Sequence, residues 1–564
     1  MILRSLVELA QREELLANPD YEPKPVAWII AVGEDGTFLS LIPTASDAEA
    51  GKKAKARVFA IPRRWGRTVN SLADFLVDKS EYVLGVEPDG KRKDEDLRVR
   101  LDLFRRSVRD AAAATECSSL AAVVSFLEND SERGRAIERA AAEGYRSNDL
   151  FAFEVCGTLV HELAEVQEYF SRSRRSHQEA GAQCLVCGLK CAPVDKHPGV
   201  KIPGGTTSGI ALVSFNSEAY ESYGLSRNEN APVCRDCADG YTTALNRLLS
   251  DRYPDPRHAG EALPKRRVSL SPDTTAVYWA DQENPLLDLF TNFFDAPQVE
   301  SVGTLLRSPY KGRETAPGLE RFYCLILSGA QGRAILRGMH TGTVVQVQDN
   351  LRRYFESIDI GSEQPLPFKL LLRSLVLQGK LENLPSGLEA EVFMAIVFGG
   401  RFPRTLLSRA VGRCRAEQDV PRERAALLRA YLVRNESMEV KVVGLDKNNP
   451  SAGYRLGRLM AVLDRVQGAA QNNPNKTIVD RYYGAASTRP ATVFPRLVTL
   501  AQHHLAKLSS GREIHFQTQL GEIMDGIAKF PPTLNLEEQG LFAVGYYHQR
   551  QDFFKKQEEK GAAE

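Results

Sequence analysis

Two Cys-x-x-Cys pairs, Cys184/Cys187 and Cys234/Cys237, constrain this chain more than any other feature of its sequence. Two intervening residues allow one tight turn to bring both sulfurs onto a tetrahedral ion, and Gly188 relieves the strain of the first turn. Two such turns complete a closed set of four thiolates. The 46 residues between the pairs exceed the roughly 15–20 of a simple zinc ribbon, so the spacing predicts an inserted loop.

The cysteine pairs leave three interpretations open. Structural zinc fits best, because four thiolates leave no position for a reacting water. A reduced or vestigial knuckle and a catalytic zinc are the alternatives. Cys191 and His197 lie near enough in sequence to replace a ligand. Four further cysteines have apolar neighbours and are predicted to be core residues: Cys117, Cys156, Cys324 and Cys414.

Length and composition place the chain among ordinary globular proteins. Its 564 residues suggest about three to four domains. With 73 basic and 72 acidic residues, the net charge indicates no polyanionic partner, and only local clusters can do so. The first residues lack a secretory pattern, and no apolar run approaches the roughly 20 residues of a membrane span. We therefore expect a cytoplasmic protein, in which clustered cysteines indicate metal rather than disulfides.

Periodicity predicts an α+β fold, with a mixed α/β N-terminal region that carries the zinc-knuckle insertion, followed by an all-α helical bundle. Apolar runs at Val26–Val32 and Thr37–Ile42 predict a hairpin, and helical patterns dominate from Asp94 to Phe170. The other predicted elements are strands over Val268–Trp279 and Arg321–Leu327, a helix over Thr343–Ser357 and helices from Pro365 to the end.

The same patterns divide the chain into four predicted segments. Residues 1–170 form an α/β domain with a basic patch, and residues 171–300 contain the knuckles and a Gly-rich loop. Residues 301–400 are a mixed α/β connecting region, and residues 401–564 are the helical bundle.

A basic run over residues 51–67 contains seven positive side chains, Trp65 and no acidic residue. Such a run suits a surface against a phosphate backbone, with a solvated loop as the alternative. Asn70 follows it and is a candidate for reading base edges. The candidate phosphate contacts are Lys52, Lys53, Lys55, Arg57, Arg63, Arg64 and Arg67.

A Gly-rich loop over residues 196–209 lies between the two cysteine pairs. Glycines, hydroxyls and two lysines allow close approach to phosphates, although no Walker-type Gly-Lys-[Ser/Thr] is present. A surface loop with turn glycines is the alternative. The candidate contacts are Lys196, Lys201, Thr206, Thr207, Ser208 and, further on, Asn216.

Helical spacing near the C-terminus places Arg496, His503 and Lys507 on one face that could follow phosphates. The opposite stripe includes His504, which we expect to be a hydrogen-bonded core histidine. Another predicted helix places Arg455, Arg458 and Arg465 on a common face, of which the first two are further candidates. Residues 401–441 carry ten basic and five acidic side chains, a balance more typical of a solvated helix surface.

Familiar catalytic patterns are absent from the sequence. It has no Walker lysine, no His-Glu-x-x-His, no Gly-x-Ser-x-Gly and no His-Asp pair. The pair His161-Glu162 is expected on a solvated helix face. We therefore expect a protein without catalytic activity. A nuclease acting on RNA or DNA and a purely structural scaffold are the alternatives.

Several strings resemble the large subunit of the type I-C CRISPR-associated surveillance (Cascade) complex. They occur in order along nearly the whole chain. They are Met1–Leu9, Lys24–Trp28, Asp78–Gly85, Ser208–Asn216, Glu221–Gly224, Asn230–Pro232, Tyr241–Asn246, Asp480–Gly484, Val493–Leu497 and Gln502–Leu505.

This resemblance implies a non-catalytic subunit of a crRNA-guided antiviral complex. Such a subunit recognises the protospacer-adjacent motif (PAM) on duplex DNA, helps to open the strands into an R-loop and recruits a separate helicase-nuclease. The implied partners are the repeat-handling, backbone and small subunits and the displaced single strand. The resemblance also implies separate translation of the C-terminal part as a small subunit, for which Met438 would give residues 438–564. Zinc is predicted from the cysteine spacing and not from the resemblance.

Overall fold

The structure, a computed structural model, describes most of the chain. The described residues are 2–16, 20–45, 56–64, 72–176, 181–258, 260–307, 320–330, 332–361, 364–435, 443–471 and 475–561, with residues 174–176 and 555–561 described by their backbone alone.

The chain divides into two compact units. Unit 1 comprises Met1–Val200, Ala211–Arg247 and Pro254–Glu261, and unit 2 comprises Lys201–Ile210, Leu248–Tyr253 and Ala262–Glu564. Whether the four segments expected from the sequence fold independently stays a prediction.

Unit 1 is built of short strands and helices. Its strands are β1 Tyr21–Pro25, β2 Trp28–Val32, β3 Phe38–Pro43, β4 Val58–Pro62, β5 Asp78–Lys79, β6 Leu150–Val155, β7 Thr158–Leu159, β8 Ala182–Gln183 and β9 Lys190–Cys191. Its helices are α1 Ile2–Arg12, α2 Ser80–Val83, α3 Asp94–Thr115, α4 Ser118–Glu128, α5 Asp130–Glu143 and α6 Ala164–Ser176. Helix α7, Arg235–Leu249, continues beyond Arg247, the last residue of its segment of unit 1.

The predicted hairpin is confirmed in the main sheet of unit 1, which has the order β3-β2-β6-β5. Gly36, at φ +88°, supplies the left-handed position of its turn. All five residues of β2, a central strand of this sheet, are buried. The first core forms where apolar side chains of this sheet, such as Ile30 and Phe153, pack with Phe104 and Phe126 of helices α3 and α4.

Helices α3 to α6 confirm that helical patterns dominate from Asp94 to Phe170, but the prediction missed strand β6 within this range. This strand lies parallel to β2 and antiparallel to β5. Its apolar residues pack into the sheet on both faces, and five of its six residues are buried. A short apolar run buried on both faces carries no clear period of two, so flanking helices conceal it in the sequence.

Unit 2 contains one larger sheet, with the order β12-β13-β14-β15, and many helices. Its strands are β11 Ala262–Leu263, β12 Arg267–Ser269, β13 Thr274–Ala280, β14 Arg321–Ala330 and β15 Arg333–Thr343. The two-residue strand β10, Tyr253–Pro254, has its first residue in unit 2 and its second in unit 1. The strand expected at Val268–Trp279 is therefore two antiparallel strands with a turn between them.

The helices of unit 2 confirm the helical C-terminal region expected from the sequence. They are α8 Pro285–Asp295, α9 Val299–Arg307, α10 Val344–Ile358, α11 Phe368–Arg373, α12 Leu388–Phe398, α13 Arg404–Glu417, α14 Arg422–Asn435, α15 Ala452–Ala470, α16 Ile478–Ala486, α17 Pro490–Leu505, α18 Ser510–Asp525 and α19 Leu536–Gly561. Helix α10 begins at a capping box, in which Thr343 and Gln346 each bond the other's backbone N–H. Alternate residues of the sheet, such as Tyr278, Phe322 and Cys324, join the helices in the second core.

Candidate metal centre and nucleic-acid interface

The two cysteine pairs sit on different local structures within unit 1. The first occupies the tight turn between strands β8 and β9, where Gly188 has φ +79° and donates its N–H to the Cys184 carbonyl at 2.9 Å. The second lies at the start of helix α7, so that Cys234 precedes the helix and Cys237 lies in its first turn. The inserted loop predicted by the spacing is present between them.

The structure brings all four sulfurs together. Cys184, Cys187, Cys234 and Cys237 offer ligand atoms within 4.8 Å of one another, and the Cys187 and Cys234 Sγ atoms are 3.8 Å apart. A tetrahedral zinc ion with bonds of about 2.3 Å would separate its sulfurs by about 3.8 Å. The geometry therefore fits a tetrahedral thiolate site, as the sequence predicted.

Backbone N–H groups point at the same sulfurs. Val186 and Cys234 donate to the Cys184 Sγ at 3.4 and 3.3 Å, and Cys237 donates to the Cys234 Sγ at 3.5 Å. The Cys237 thiol, the Cys237 N–H and the thiols of Cys184 and Cys187 lower the pKa of Cys234 to about 5, although burial opposes the shift. The pKa of Cys237 is raised in turn by its neighbour Cys234. Deprotonation of one thiol is thus already favoured, and a bound cation would stabilise the thiolate form of the other three.

Neither substitute ligand joins this set. The Nδ1 atom of His197 lies 2.7 Å from the Tyr241 hydroxyl, and burial lowers the pKa of the imidazole to about 4. Burial and the neighbouring thiols raise the pKa of Cys191 to about 11. Within the described chain, the four predicted cysteines form the one group of three or more Cys, His, Asp or Glu residues suited to a metal.

Three of the remaining cysteines are buried as predicted, namely Cys117, Cys324 and Cys414. Cys156 is exposed, so its prediction is wrong. It lies directly after β6 at φ +49°, and its thiol bonds the Glu34 carboxylate at 3.3 Å. A turn following a buried strand accounts for the apolar neighbours that suggested a core position.

Close backbone packing within unit 2 requires glycines in the Gly-rich loop. Gly329 of strand β14 donates its N–H to the Pro203 carbonyl at 3.1 Å. A Cβ on Gly204 would lie 2.7 Å from the Gly329 carbonyl oxygen, and a Cβ on Gly329 would lie 2.5 Å from the backbone nitrogen of Gly205. Backbone packs directly on backbone, which only glycine permits.

This contact fixes the rest of the loop without burying it. Lys201, Thr206, Thr207 and Ser208 are exposed, and the Thr206 hydroxyl donates to the Gly209 carbonyl. These four side chains are therefore exposed on a backbone that the glycine contact holds in place.

Two other candidates from this region lie in unit 1. Lys196 and Asn216 line the same cleft, which has a volume of about 540 Å³. Asp195 and Glu218 line it too, so the cleft is of mixed charge. The structure thus brings together two predicted residues that are separated by 19 residues of the inserted loop.

Most of the described arginines of the basic run form ion pairs with carboxylates. Arg63 approaches Asp239 at 3.2 Å, and Arg64 approaches Asp74 at 2.6 Å. Both carboxylates are 1% exposed, so these ion pairs belong to the interior of unit 1. Arg57 is exposed and covers the Phe59 ring. The other predicted contacts of the run lie outside the described residues: Lys52, Lys53, Lys55, Arg67 and Asn70.

The two candidate basic faces near the C-terminus differ in their exposure to solvent. Arg496, His503 and Lys507 are exposed on and just after helix α17, opposite its buried stripe. Arg458 is 3% exposed and donates to the Gln549 side chain and the Lys447 carbonyl, so this structure does not offer it to a phosphate. Arg455 donates to the Asn449 carbonyl at 2.7 Å and is also partly buried.

Helix α14 shows a role for arginine that sequence reasoning missed. Arg424 donates to the Ser374 carbonyl after α11, and Arg429 donates to the Glu356 and Ser357 carbonyls at the end of α10. Arg434 reaches the Ala395 carbonyl near the end of α12. These guanidinium groups bond carbonyls at the C-terminal ends of three neighbouring helices. The sequence had instead predicted a solvated helix surface for this segment.

Two histidines also depart from expectation. His161 is 1% exposed instead of solvated, and neither ring nitrogen has a hydrogen-bond partner among the described residues. His504 is only partly buried, and its Nδ1 has no described partner, so it is not the hydrogen-bonded core histidine expected.

The fold and the site together define a mixed α/β protein with a helical C-terminal region and a four-cysteine cluster suited to a metal. The sequence matches the family of the CRISPR-associated protein Cas_Csd1 over residues 4–554, and the chain therefore belongs to this family. No curated protein matches it significantly. Among the described helices, none combines the length and the apolar character needed to cross a membrane.

Proposed function

We propose that this chain is the non-catalytic large subunit of a type I-C, crRNA-guided surveillance complex and that it recognises the PAM on duplex DNA. The observation that carries the proposal is membership of a CRISPR-associated family along nearly the whole chain, residues 4–554. Guide pairing would read the target sequence, while this subunit would read the short motif, help to open the duplex and recruit a helicase-nuclease. Its partners would be the repeat-handling, backbone and small subunits.

The exposed side chains of the Gly-rich loop support a role in gripping DNA. A lysine supplies phosphate attraction, and hydroxyls can bond phosphates or base edges. The contact of Gly204 with Gly329 holds these groups in one geometry before DNA arrives. The exposed face of Arg496, His503 and Lys507 suits the displaced single strand, because a row of basic side chains follows a backbone without reading bases.

The test uses the assembled complex and separates phosphate anchoring from motif reading. We expect Lys201→Ala to weaken binding to all duplexes similarly and to reduce the salt slope by about one. Thr207→Ala with Ser208→Ala should instead reduce the preference for the motif, by about tenfold if a base contact worth about 1–3 kcal/mol is lost. Lys380→Ala removes an exposed lysine from another part of unit 2 and is the control. Unchanged affinity, salt slope and preference in both variants would remove the loop from the interface.

We further propose that the cysteine cluster holds structural zinc, which would join the turn between β8 and β9 to the start of α7. Four convergent thiols with a spacing near that of tetrahedral zinc support this assignment. The freshly purified chain should contain one zinc per molecule, and Cys234→Ser should lose it together with several degrees of Tm. Cys156→Ser changes an exposed lone cysteine and should alter neither. Stoichiometric iron, or no metal under reducing conditions, would contradict zinc.

The non-catalytic role is supported by the chemistry of the described side chains. The one described metal-suited group consists of four thiols, and a closed set of four thiolates leaves no position for a reacting water. Purified chain incubated with RNA or DNA and Mg²⁺ or Mn²⁺ should leave both intact. Cleavage that a carboxylate substitution abolishes would favour a nuclease instead.

A further inference from the structure

A short loop of unit 1, Ser217–Asn230, is held rigidly although it is largely exposed. The Asn230 side chain accepts from the Ser222 N–H and donates to the Leu225 and Arg227 carbonyls, each at 2.9 Å. Ser226 and Glu229 form a capping box in the same loop. The loop therefore has one conformation that its own polar side chains maintain.

The tip of this loop carries a tyrosine that the turn itself does not favour. Tyr223 and Gly224 have φ values of +56° and +74°, and the Leu225 N–H donates to the Ser222 carbonyl at 3.0 Å. A two-residue turn with both φ values positive prefers asparagine before the glycine. Tyrosine has a conformational cost there, and because the residue is fully exposed, no contact with another described residue compensates for it.

The surroundings of the tip are apolar and acidic. Tyr220 and Leu225 are 55% and 42% exposed, and the exposed Glu218 and Glu229 add negative charge to the loop. The positive charge in the loop, Arg227, is bound to both carboxylate oxygens of Asp195 at 3.0 and 3.1 Å. With three glutamates and one arginine, the loop should attract basic protein side chains more strongly than a phosphate backbone.

We infer that Tyr223 anchors a protein subunit of the same complex, in an apolar pocket flanked by lysine or arginine. This inference rests on the proposed function, because it requires that the chain assembles with other subunits. A preorganised, fully exposed tyrosine loses little conformational entropy on binding and buries a large area, the two properties of an interface hot spot.

The test places p-benzoylphenylalanine at position 223 of the chain in a purified complex with guide RNA and DNA. Illumination should join this chain to one polypeptide subunit. The same group replacing Leu39, an exposed residue of β3, is the control and should give no such product. A product with RNA or DNA, or no product from an intact complex, would overturn the inference and leave the proposed function standing. If no complex forms with the wild-type chain, the result contradicts the proposed function, on which this inference rests.

A second measurement separates recognition from folding. Tyr223→Asn suits the turn, so the variant should keep or raise the Tm of the chain while weakening its association with the other subunits by about tenfold or more. Glu218→Lys should weaken association most at low salt, because it reverses one negative charge of the loop. Wild-type association in both variants would contradict the inference.

Discussion

Arg63 and Arg64 lie in a run of seven positive charges, yet both side chains have carboxylate partners inside unit 1. Asp239, the partner of Arg63, follows it by more than 170 residues in the chain. A local charge pattern cannot reveal a partner so distant, and the sequence therefore suggested a nucleic-acid contact where the structure shows an internal ion pair. Exposure of the side chain distinguishes an arginine that can contact DNA from one in an internal ion pair. Of these three arginines, Arg57 is the exposed one.

This distinction predicts different outcomes for two substitutions in the same run. Arg63→Ala removes the charge partner of a buried carboxylate and should lower the free energy of unfolding by about 3 kcal/mol. Arg57→Ala should change it by less than about 0.5 kcal/mol. Urea denaturation of both variants checks this. Equal stabilities would mean that the Arg63 pair contributes little, and Arg63 would again become a candidate for DNA contact.

His161 makes stability depend on pH. Burial lowers the pKa of its imidazole to about 4, from an ordinary value of 6.5. As pH falls below about 6.5, the unfolded chain binds a proton that the folded chain does not, so stability is lost until about pH 4. Between pH 6.5 and 5 the loss from this group should be about 2 kcal/mol.

Replacement of His161 by leucine isolates that effect. The His161→Leu variant should resist acid better than the wild type, and the difference in urea midpoint between the two should grow in favour of the variant as pH falls from 7 to 5. Parallel pH profiles would show that the imidazole is protonated in the folded state as readily as in the unfolded one.

At the scale of elements, much of the helical architecture followed from the sequence. The hairpin of β2 and β3 and helix α10 follow from periodicity and capping residues, which act over a few positions. Strand β6 was not predicted from the sequence, because its position depends on pairing with β2, which lies more than 100 residues earlier. The arginines of α14 likewise bond carbonyls of helices whose proximity no local pattern encodes.

Helices α15 and α19 pack through glycines at backbone distance. A Cβ on Gly457 would lie 2.0 Å from the Phe542 carbonyl oxygen, and one on Gly545 would lie 2.2 Å from the Tyr454 carbonyl oxygen. Gly457→Ala should therefore force the helices apart and destabilise the chain by about 1–3 kcal/mol. Gly468→Ala, in the same helix with no atom within 4 Å, should stabilise it by up to about 1 kcal/mol.

Thermal unfolding followed by circular dichroism compares the two glycine variants. Opposite shifts of Tm support the close helix contact. A stabilised Gly457→Ala variant would show that α15 and α19 are further apart than described.

At the scale of the whole molecule, the candidate sites were predictable to different degrees. The cysteine cluster was predicted residue for residue, because metal chemistry fixes both the residue type and the spacing within each pair. The Gly-rich loop was located, but the packing of Gly204 on Gly329 was not foreseen, because it depends on a strand more than 100 residues later. The braced Tyr223 was not identified, since a turn residue becomes unusual only when its φ value and exposure are known.

The central claim is that this chain gives a crRNA-guided complex its dependence on the motif. The most direct measurement compares target binding by complexes assembled with and without the chain, on duplexes with and without the motif. With the chain, the motif should strengthen binding by at least about tenfold, and without it both duplexes should bind equally weakly. Full preference for the motif in the complex that lacks the chain would contradict the claim.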